Sequence, residues 1–246
     1  MNRFNFSFPN IILLGLAAYV IIFFFWFFWQ ASLKSPDLTQ RRKLMRNGTL
    51  IIDGYFLWVG ILTVLAVKGF FEVKTLPPRF GIFVLAFLTV SLILCFLSVK
   101  RHLSFLFSIP SHWLIYFQSF RVVVEVVLWL LFLDGLVPKE MTFEGRNFDV
   151  LVGLAAPIAG YMVQKKTHYG VGIAFNIFGL VALANIITIV VPAFPSPFQK
   201  YATLHLASYF PGITIPALLA PAAMYVHILS IKQLMAKRRE QKLTTN

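Results

Sequence analysis

Long apolar runs alternate with short polar segments along the whole chain. Several runs reach the roughly 20 residues that a helix needs to cross a bilayer. Prolines, glycines or basic residues interrupt the chain between them. This pattern predicts an all-α polytopic membrane protein with seven transmembrane helices. The predicted spans of this single helical membrane domain cover residues 10–30, 50–71, 80–98, 112–133, 149–164, 170–191 and 212–231, and residues 232–246 form a basic cytoplasmic tail.

The segment 103–109 is too short to be a span by itself. It is apolar and stands directly before Pro110. Two interpretations remain open for it: an interfacial helix that leads into the fourth span, or a helical extension of the third. The sequence therefore leaves open whether residues 103–109 enter the membrane.

Composition supports a membrane protein. Hydrophobic residues make up 59% of the chain and charged residues 13%, whereas about 25% charged residues are typical of soluble domains. The net charge of +13 is spread over basic loops between apolar runs, which predicts contacts with anionic lipid head groups and no nucleic-acid partner. The single cysteine, Cys95, excludes an internal disulfide and a CxxC motif.

Basic residues also predict the orientation. With seven spans and the amino terminus outside, the inner loops hold more than twice as many Lys and Arg residues as the outer segments. Because cytoplasmic loops carry this excess, the amino terminus is expected outside and the carboxyl terminus in the cytoplasm. The first apolar run lacks a small-residue cleavage site and is expected to remain as a span.

The fourth predicted span carries polar residues near its middle. Gln118, Arg121 and Glu125 fall on one face at 100° per residue, and the other face is apolar. A charge at the bilayer centre costs about 2.5–3.5 kcal/mol on insertion scales, so both ions need partners or water. Arg121 and Glu125 are four residues apart and can pair with each other. The alternatives are a buried structural ion pair and a substrate-binding site.

A second polar cluster precedes the fifth span. It contains Glu144, Arg146, Asn147 and Asp149, and His205 is a possible further member. The alternatives are a functional outer site and a solvated loop held by local hydrogen bonds, with Asp149 complementing a helix dipole.

Two further patterns concern helix packing. Gly153, Ala156 and Gly160 give the short fifth span a face of small residues, which predicts close approach of another helix. In the sixth span, Asn176 and Asn185 are nine residues apart and point to opposite faces. We expect each of them to form an interhelical hydrogen bond.

Known catalytic and cofactor motifs are missing from the sequence. It contains no GxGxxG or Walker loop, no GxSxG elbow and no HExxH, and its histidines have no metal-ligand spacing. No cofactor and no metal are therefore expected. The seventh span has no embedded lysine for a retinal Schiff base. The chain also differs from sugar transporters built from two three-helix repeats around a linker helix, because its fourth span is the most polar helix and a linker should be the least polar.

The runs IPSHWLIYFQSFRVVVE and MTFEGRNFDVLVGLAAP resemble a family of small bacterial multi-pass inner-membrane proteins of uncharacterised activity. The resemblance extends over the fourth to seventh spans. It implies a bacterial inner membrane and supplies no catalytic or binding residue.

Three functional hypotheses follow. The leading one is transport or binding of a small solute or a proton at the intramembrane Arg121 and Glu125, with Gln118 orienting the ligand. The second is a non-catalytic membrane subunit or scaffold, with a protein partner or as a homo-oligomer. The third is a membrane enzyme acting on lipid, with Glu144, Asp149 and His205 as acid and base. The sequence favours a protein that is not an enzyme.

Overall fold

The structure, a computed structural model, describes residues 7–33, 37–71, 109–166, 168–193, 197, 199–206 and 209–245. Helices dominate these residues, which confirms the all-α class. The α-helices are α1 (Phe8–Leu33), α2 (Leu38–Val67), α3 (Ser111–Phe117), α4 (Phe120–Leu133), α5 (Asp149–Lys166), α6 (Tyr169–Val190) and α7 (Ala220–Thr245). Short 3-10 helices cover Lys139–Met141 and Val191–Ala193, and Ile215–Leu219 is π-helical.

Four helical stretches within the described residues are long and apolar enough to cross a membrane: Phe8–Leu33, Ser111–Leu133, Tyr169–Ala193 and Ile215–Leu243. They coincide with the first, fourth, sixth and seventh predicted spans, and they support membrane association of the chain. The apolar part of α2 is shorter, Phe56–Val67. Helix α5 has 18 residues with charged residues near both ends. The predicted span at 80–98, Cys95 and most of the segment 103–109 lie outside the described residues.

Two basic segments, residues 38–49 and 232–245, are helical. Helix α2 begins at Leu38. The carboxylate of Asp37, the residue before the helix, accepts a hydrogen bond from the Thr39 N–H at 2.9 Å. Helix α7 continues to Thr245, far beyond the predicted end of the seventh span. Both segments are rich in Lys, Arg, Gln, Leu and Met, which have high helix propensity, so the polar residues extend the apolar helices.

The described residues divide into two compact units. The first comprises those of Met1–Ile109 and His205–Pro221, and the second those of Pro110–Leu204 and Ala222–Asn246. In the first unit α1 packs against α2, and the π-helical segment contacts both. Its buried side chains include Leu13, Val20 and Phe27 of α1.

The second unit is organised around α5, which packs against α3, α4 and α6. The predicted small-residue face makes this close packing possible. A Cβ atom on Gly153 would lie 2.6 Å from Cγ2 of Val122, and one on Gly160 would overlap the ring of Tyr116. Ala156, between them, is fully buried. The prediction of close helix approach at this face is therefore confirmed.

These contacts set the register of the two elements. Moving from Gly153 to Gly160 on α5 corresponds to moving back from Val122 to Tyr116, so α5 runs antiparallel to α3 and α4. The first residue of α5, Asp149, consequently lies beside Arg121. Helix α4 continues from Arg121 to Leu133, which is about 18 Å at 1.5 Å per residue. Helix α5 therefore begins near the middle of the stretch Ser111–Leu133.

The segment between α4 and α5 returns to this depth. Met141, Thr142 and Asn147 are buried, and the 3-10 helix Lys139–Met141 packs against α4 and α6. Part of this segment is therefore packed inside the helical unit. Non-helical backbone at such a depth is tolerated where protein surrounds it or where it lines a polar cavity.

Candidate functional site

A tight turn joins α3 to α4 and presents the polar stripe to the interior. The N–H groups of Gln118 and Arg121 donate to carbonyls three residues earlier, at 3.0 and 3.2 Å. These are 3-10 bonds, which often mark functional positions inside a long helix. Gln118 and Glu125 are completely buried, and Arg121 is 2% exposed. The predicted stripe therefore faces other protein groups.

Asp149 is the ionic partner of Arg121. The guanidinium Nε donates to Oδ2 of Asp149 at 3.1 Å, and Nη2 donates to Oδ1, so the pair is bidentate. Nη1 contacts Nε2 of His227 at 3.0 Å and donates to the Gly179 carbonyl at 3.4 Å. The predicted pairing of Arg121 with Glu125 is wrong. The close packing of α5 places the Asp149 carboxylate, 28 residues away, against the guanidinium instead.

His227 of α7 is held as one tautomer of the neutral imidazole. A guanidinium group can only donate hydrogen bonds, so Nε2 of His227 accepts from Arg121. Nδ1 then carries the proton and donates to Oδ1 of Asn176 at 2.8 Å. The Asn176 amide donates in turn to the Ser230 hydroxyl at 2.9 Å and to the Gly172 carbonyl at 2.6 Å. This chain of hydrogen bonds links α4, α6 and α7.

Glu125 accepts a hydrogen bond from the amide of Asn147 through Oε1. The same amide donates to the Met141 carbonyl at 3.0 Å, and Oδ1 of Asn147 accepts from the N–H of Asp149 at 3.1 Å. Asn147 thus satisfies the first N–H of α5 and ties the returning segment to Glu125. No hydrogen-bond partner for Oε2 of Glu125 is found among the described residues, although this atom is buried.

The second predicted cluster is divided. Asn147 and Asp149 belong to the buried network just described. Glu144 is exposed and accepts from the Trp129 indole at 2.8 Å, while Arg146 is exposed and donates to the Tyr201 hydroxyl at 2.8 Å. His205 is exposed and belongs to the first compact unit. Asn147 and Asp149 therefore lie with Arg121 and Glu125, whereas Glu144 and Arg146 form their bonds at the surface.

The two sixth-span asparagines occupy separate environments, as their spacing predicted. Asn176 bonds to α7, whereas Asn185 donates to the Arg146 carbonyl at 2.7 Å, on the segment before α5. The prediction of an interhelical bond is confirmed for Asn176. For Asn185 the partner is non-helical backbone. These bonds fix α6 against its neighbours at two heights.

Sequence reasoning missed His227 and Asn176 as members of this site. The glycines of α6 were a signal in the sequence, because they allow α7 to approach closely. A Cβ atom on Gly179 would overlap the His227 ring, so only glycine lets the ring lie against α6. Gly172 and Asn176, one turn apart on α6, pack towards the same part of α7. A buried histidine facing a glycine and an asparagine could have been recognised only with the helix pairing known.

Comparison with known proteins gives a family. Residues 78–235, more than half of the chain, match the family described as Domain of unknown function (DUF8737). The chain belongs to this family. No curated protein and no solved structure matches the chain. Every member of the buried network lies inside the DUF8737 range: Gln118, Arg121, Glu125, Asn147, Asp149, Asn176, His227 and Ser230.

Proposed function

We propose that the chain is a multi-pass protein of a bacterial inner membrane, with seven spans, an outer amino terminus and a cytoplasmic carboxyl terminus. The four long apolar helices support the membrane assignment. The number of long apolar runs in the sequence supports seven spans. The distribution of basic residues supports the orientation, and the resemblance of the sequence to small bacterial membrane proteins supports the location.

We propose further that the protein transports or binds a small solute or a proton at the buried Gln118, Arg121 and Glu125. The observation that carries this proposal is the start of α5 at mid-depth, next to a buried Arg and a buried Glu. Transporters place such interrupted helix ends at their binding sites, because the exposed helix terminus and nearby irregular backbone supply polar groups there. A span with a purely structural role does not require a helix end inside the membrane.

Charge balance assigns the binding role to Glu125. Asp149 already neutralises Arg121 through a bidentate contact, so the guanidinium serves as a fixed anchor. An ionised Glu125 would leave the buried network with one uncompensated negative charge, which is costly in a low-dielectric interior. A proton or a cationic solute group on Glu125 restores neutrality. Oε2 is the oxygen that can receive it.

Proton movement into reconstituted vesicles tests this proposal. Vesicles with a pH-sensitive dye inside and an imposed inside-negative potassium diffusion potential should acidify faster with the wild-type protein than without protein. Glu125→Gln keeps the shape and the acceptor for Asn147 but removes the titratable group, so the rate should fall to that of protein-free vesicles. Glu144→Gln is the matched control, because Glu144 is exposed and bonded to Trp129, and it should transport as the wild type does.

Either of two results contradicts this form of the proposal. Wild-type vesicles that acidify no faster than protein-free vesicles would exclude proton transport. A Glu125→Gln protein that retains the wild-type rate would remove Glu125 from the mechanism. Folding of each variant is checked by its elution as a monodisperse species in detergent before reconstitution.

The second candidate is a membrane subunit or scaffold with a protein partner or a second copy of the chain. The observation that favours it is the bidentate Arg121–Asp149 pair, which closes a neutral network between helices. This candidate predicts that Arg121→Leu combined with Asp149→Leu keeps its partner or its oligomeric state, measured by native mass spectrometry from detergent. Loss of the assembly in that double variant would contradict it.

The third candidate, a lipid-modifying enzyme, has the weakest support. Both oxygens of Asp149 are bound by Arg121, and Glu144 is bonded to Trp129. Neither carboxylate is therefore placed as a general acid or base.

A further inference from the structure

Three buried oxygen atoms repeat along one helical stretch at intervals of seven residues. They are Oγ of Ser111, Oε1 of Gln118 and Oε2 of Glu125, and no hydrogen-bond partner for any of them is found in the part of the chain that the structure describes. Buried polar atoms are normally hydrogen-bonded, and each exception requires an explanation such as water or an ion. Three exceptions in a regular series point to one common explanation.

The spacing places these atoms on one line. Seven residues of an α-helix turn by about 700°, which is within about 20° of two full turns. The 3-10 turn between α3 and α4 adds about 20° for each residue that it includes, so residues 111, 118 and 125 still lie on one side of the stretch. Each interval rises about 10.5 Å, and the series covers about 21 Å of a hydrocarbon core about 30 Å thick. All three residues are at most 3% exposed, so this face is enclosed by protein.

The chemistry of the three atoms selects the ligand. The Gln118 amide must direct its NH2 group towards the Ala223 carbonyl, which it reaches at 3.0 Å, because a carbonyl can only accept. Oε1 of Gln118 is thereby left as an acceptor. The Glu125 carboxylate also accepts, and a serine hydroxyl can either accept or donate. Since Asp149 neutralises Arg121, this line suits species that donate hydrogen bonds, such as water and hydronium, and it disfavours anions.

We propose that the face of Ser111, Gln118 and Glu125 forms a water-filled path that conducts protons between Glu125 and the Ser111 end of the span. This inference rests on the proposed function and names its substrate class and route. Gaps of about 10 Å between neighbouring oxygens are too long for direct proton transfer, and two or three hydrogen-bonded waters would fill each of them. Waters in buried polar sites usually form two to four hydrogen bonds, and the three side-chain oxygens supply fixed partners for the chain.

Three variants test the path in the vesicle assay described above. Ser111→Ala removes one hydroxyl with almost no change of shape, and Gln118→Met replaces the amide by an apolar group of similar length. Ser119→Ala is the matched control. It makes the same chemical change on the same helical stretch, but Ser119 follows Gln118 by one residue and so lies about 100° away from the face of Ser111 and Gln118. We expect several-fold slower acidification with Ser111→Ala and Gln118→Met, and the wild-type rate with Ser119→Ala.

The outcomes separate this inference from the proposed function. If Glu125→Gln abolishes acidification while Ser111→Ala and Gln118→Met acidify as fast as Ser119→Ala does, the path is wrong and the role of Glu125 stands. If the wild-type protein acidifies vesicles no faster than lipid alone, both are wrong. If Ser111→Ala, Gln118→Met and Ser119→Ala slow acidification equally, the path is also wrong, because the effect would not depend on the helix face that carries the change. Thermal unfolding in detergent is measured for Ser111→Ala and Ser119→Ala, which should unfold at similar temperatures.

Discussion

Helix α1 and the stretch Ser111–Leu133 are both long and apolar enough to cross a membrane, but they use their surfaces in opposite ways. In the most apolar window of each, 28% of the residues are buried in α1 and 61% in Ser111–Leu133. Helix α1 exposes large side chains such as Ile22 and Trp29, and none of its residues is charged. The second stretch hides Arg121 and Glu125 completely or nearly so. A buried charge therefore determines which face of an apolar helix turns towards protein, whereas a helix without charges can leave most of its surface exposed.

The largest expected effect comes from breaking the ion pair that distinguishes the second stretch. Arg121→Leu or Asp149→Leu alone leaves the other charge buried without its partner, and such losses destabilise proteins by about 3–5 kcal/mol. The double variant removes both charges and should recover much of that loss. Denaturant unfolding in detergent measures the three free energies of unfolding. Single variants that lose less than about 1 kcal/mol would show that water reaches the pair, as at exposed sites.

A smaller effect is expected from adding one methyl group to a glycine in each region. Gly153→Ala would bring Cβ to within 2.7 Å of the Val122 backbone nitrogen, and overpacking of this kind costs about 1–3 kcal/mol. Gly15→Ala in α1 meets nothing within 4 Å, so alanine should stabilise that helix by up to about 1 kcal/mol. Thermal unfolding of both variants measures the contrast. Equal changes in the two variants would contradict the tight contact between α5 and α4.

The smallest effect concerns an exposed ion pair, Lys139 with Glu144. Lys139 and Glu144 are 3.9 Å apart, with side chains 56% and 42% exposed. Solvent screens such a pair, so Lys139→Ala should change the free energy of unfolding by less than about 1 kcal/mol. The measurement is the same denaturant titration as for Arg121. A decrease in the free energy of unfolding similar to that of Asp149→Leu would contradict the exposure of the Lys139–Glu144 pair.

Sequence reasoning recovered the helical class and one face of the site. Gln118, Arg121 and Glu125 share a face because helical periodicity is local, and their burial confirms the inward orientation. The small-residue face of Gly153 and Gly160 was predicted in the same way. Helices α2 and α7 extend beyond their apolar parts, because basic residues with high helix propensity continue each helix.

The ionic partner of Arg121 could not be predicted from spacing. Glu125 lies four residues away on the same helix and was the nearest carboxylate in sequence, but Asp149 binds the guanidinium and Asn147 binds Glu125. Asn147 belongs to the segment that returns to the interior before α5, and Asp149 is the first residue of α5. Their positions depend on the depth of that segment, which hydropathy does not encode.

Local sequence is sufficient to predict which stretches become apolar helices and which side chains share a helical face, because both depend on residues within a few turns of one another. The binding of Arg121 to Asp149 and His227, residues that are 28 and 106 positions away, depends on how the helices pack. The contact of Gly153 with Val122 sets the register of α5, and the contact of Gly179 with His227 sets the distance between α6 and α7. Such contacts are fixed only when whole helices pack, since the steric fit of two surfaces is not a property of either helix alone.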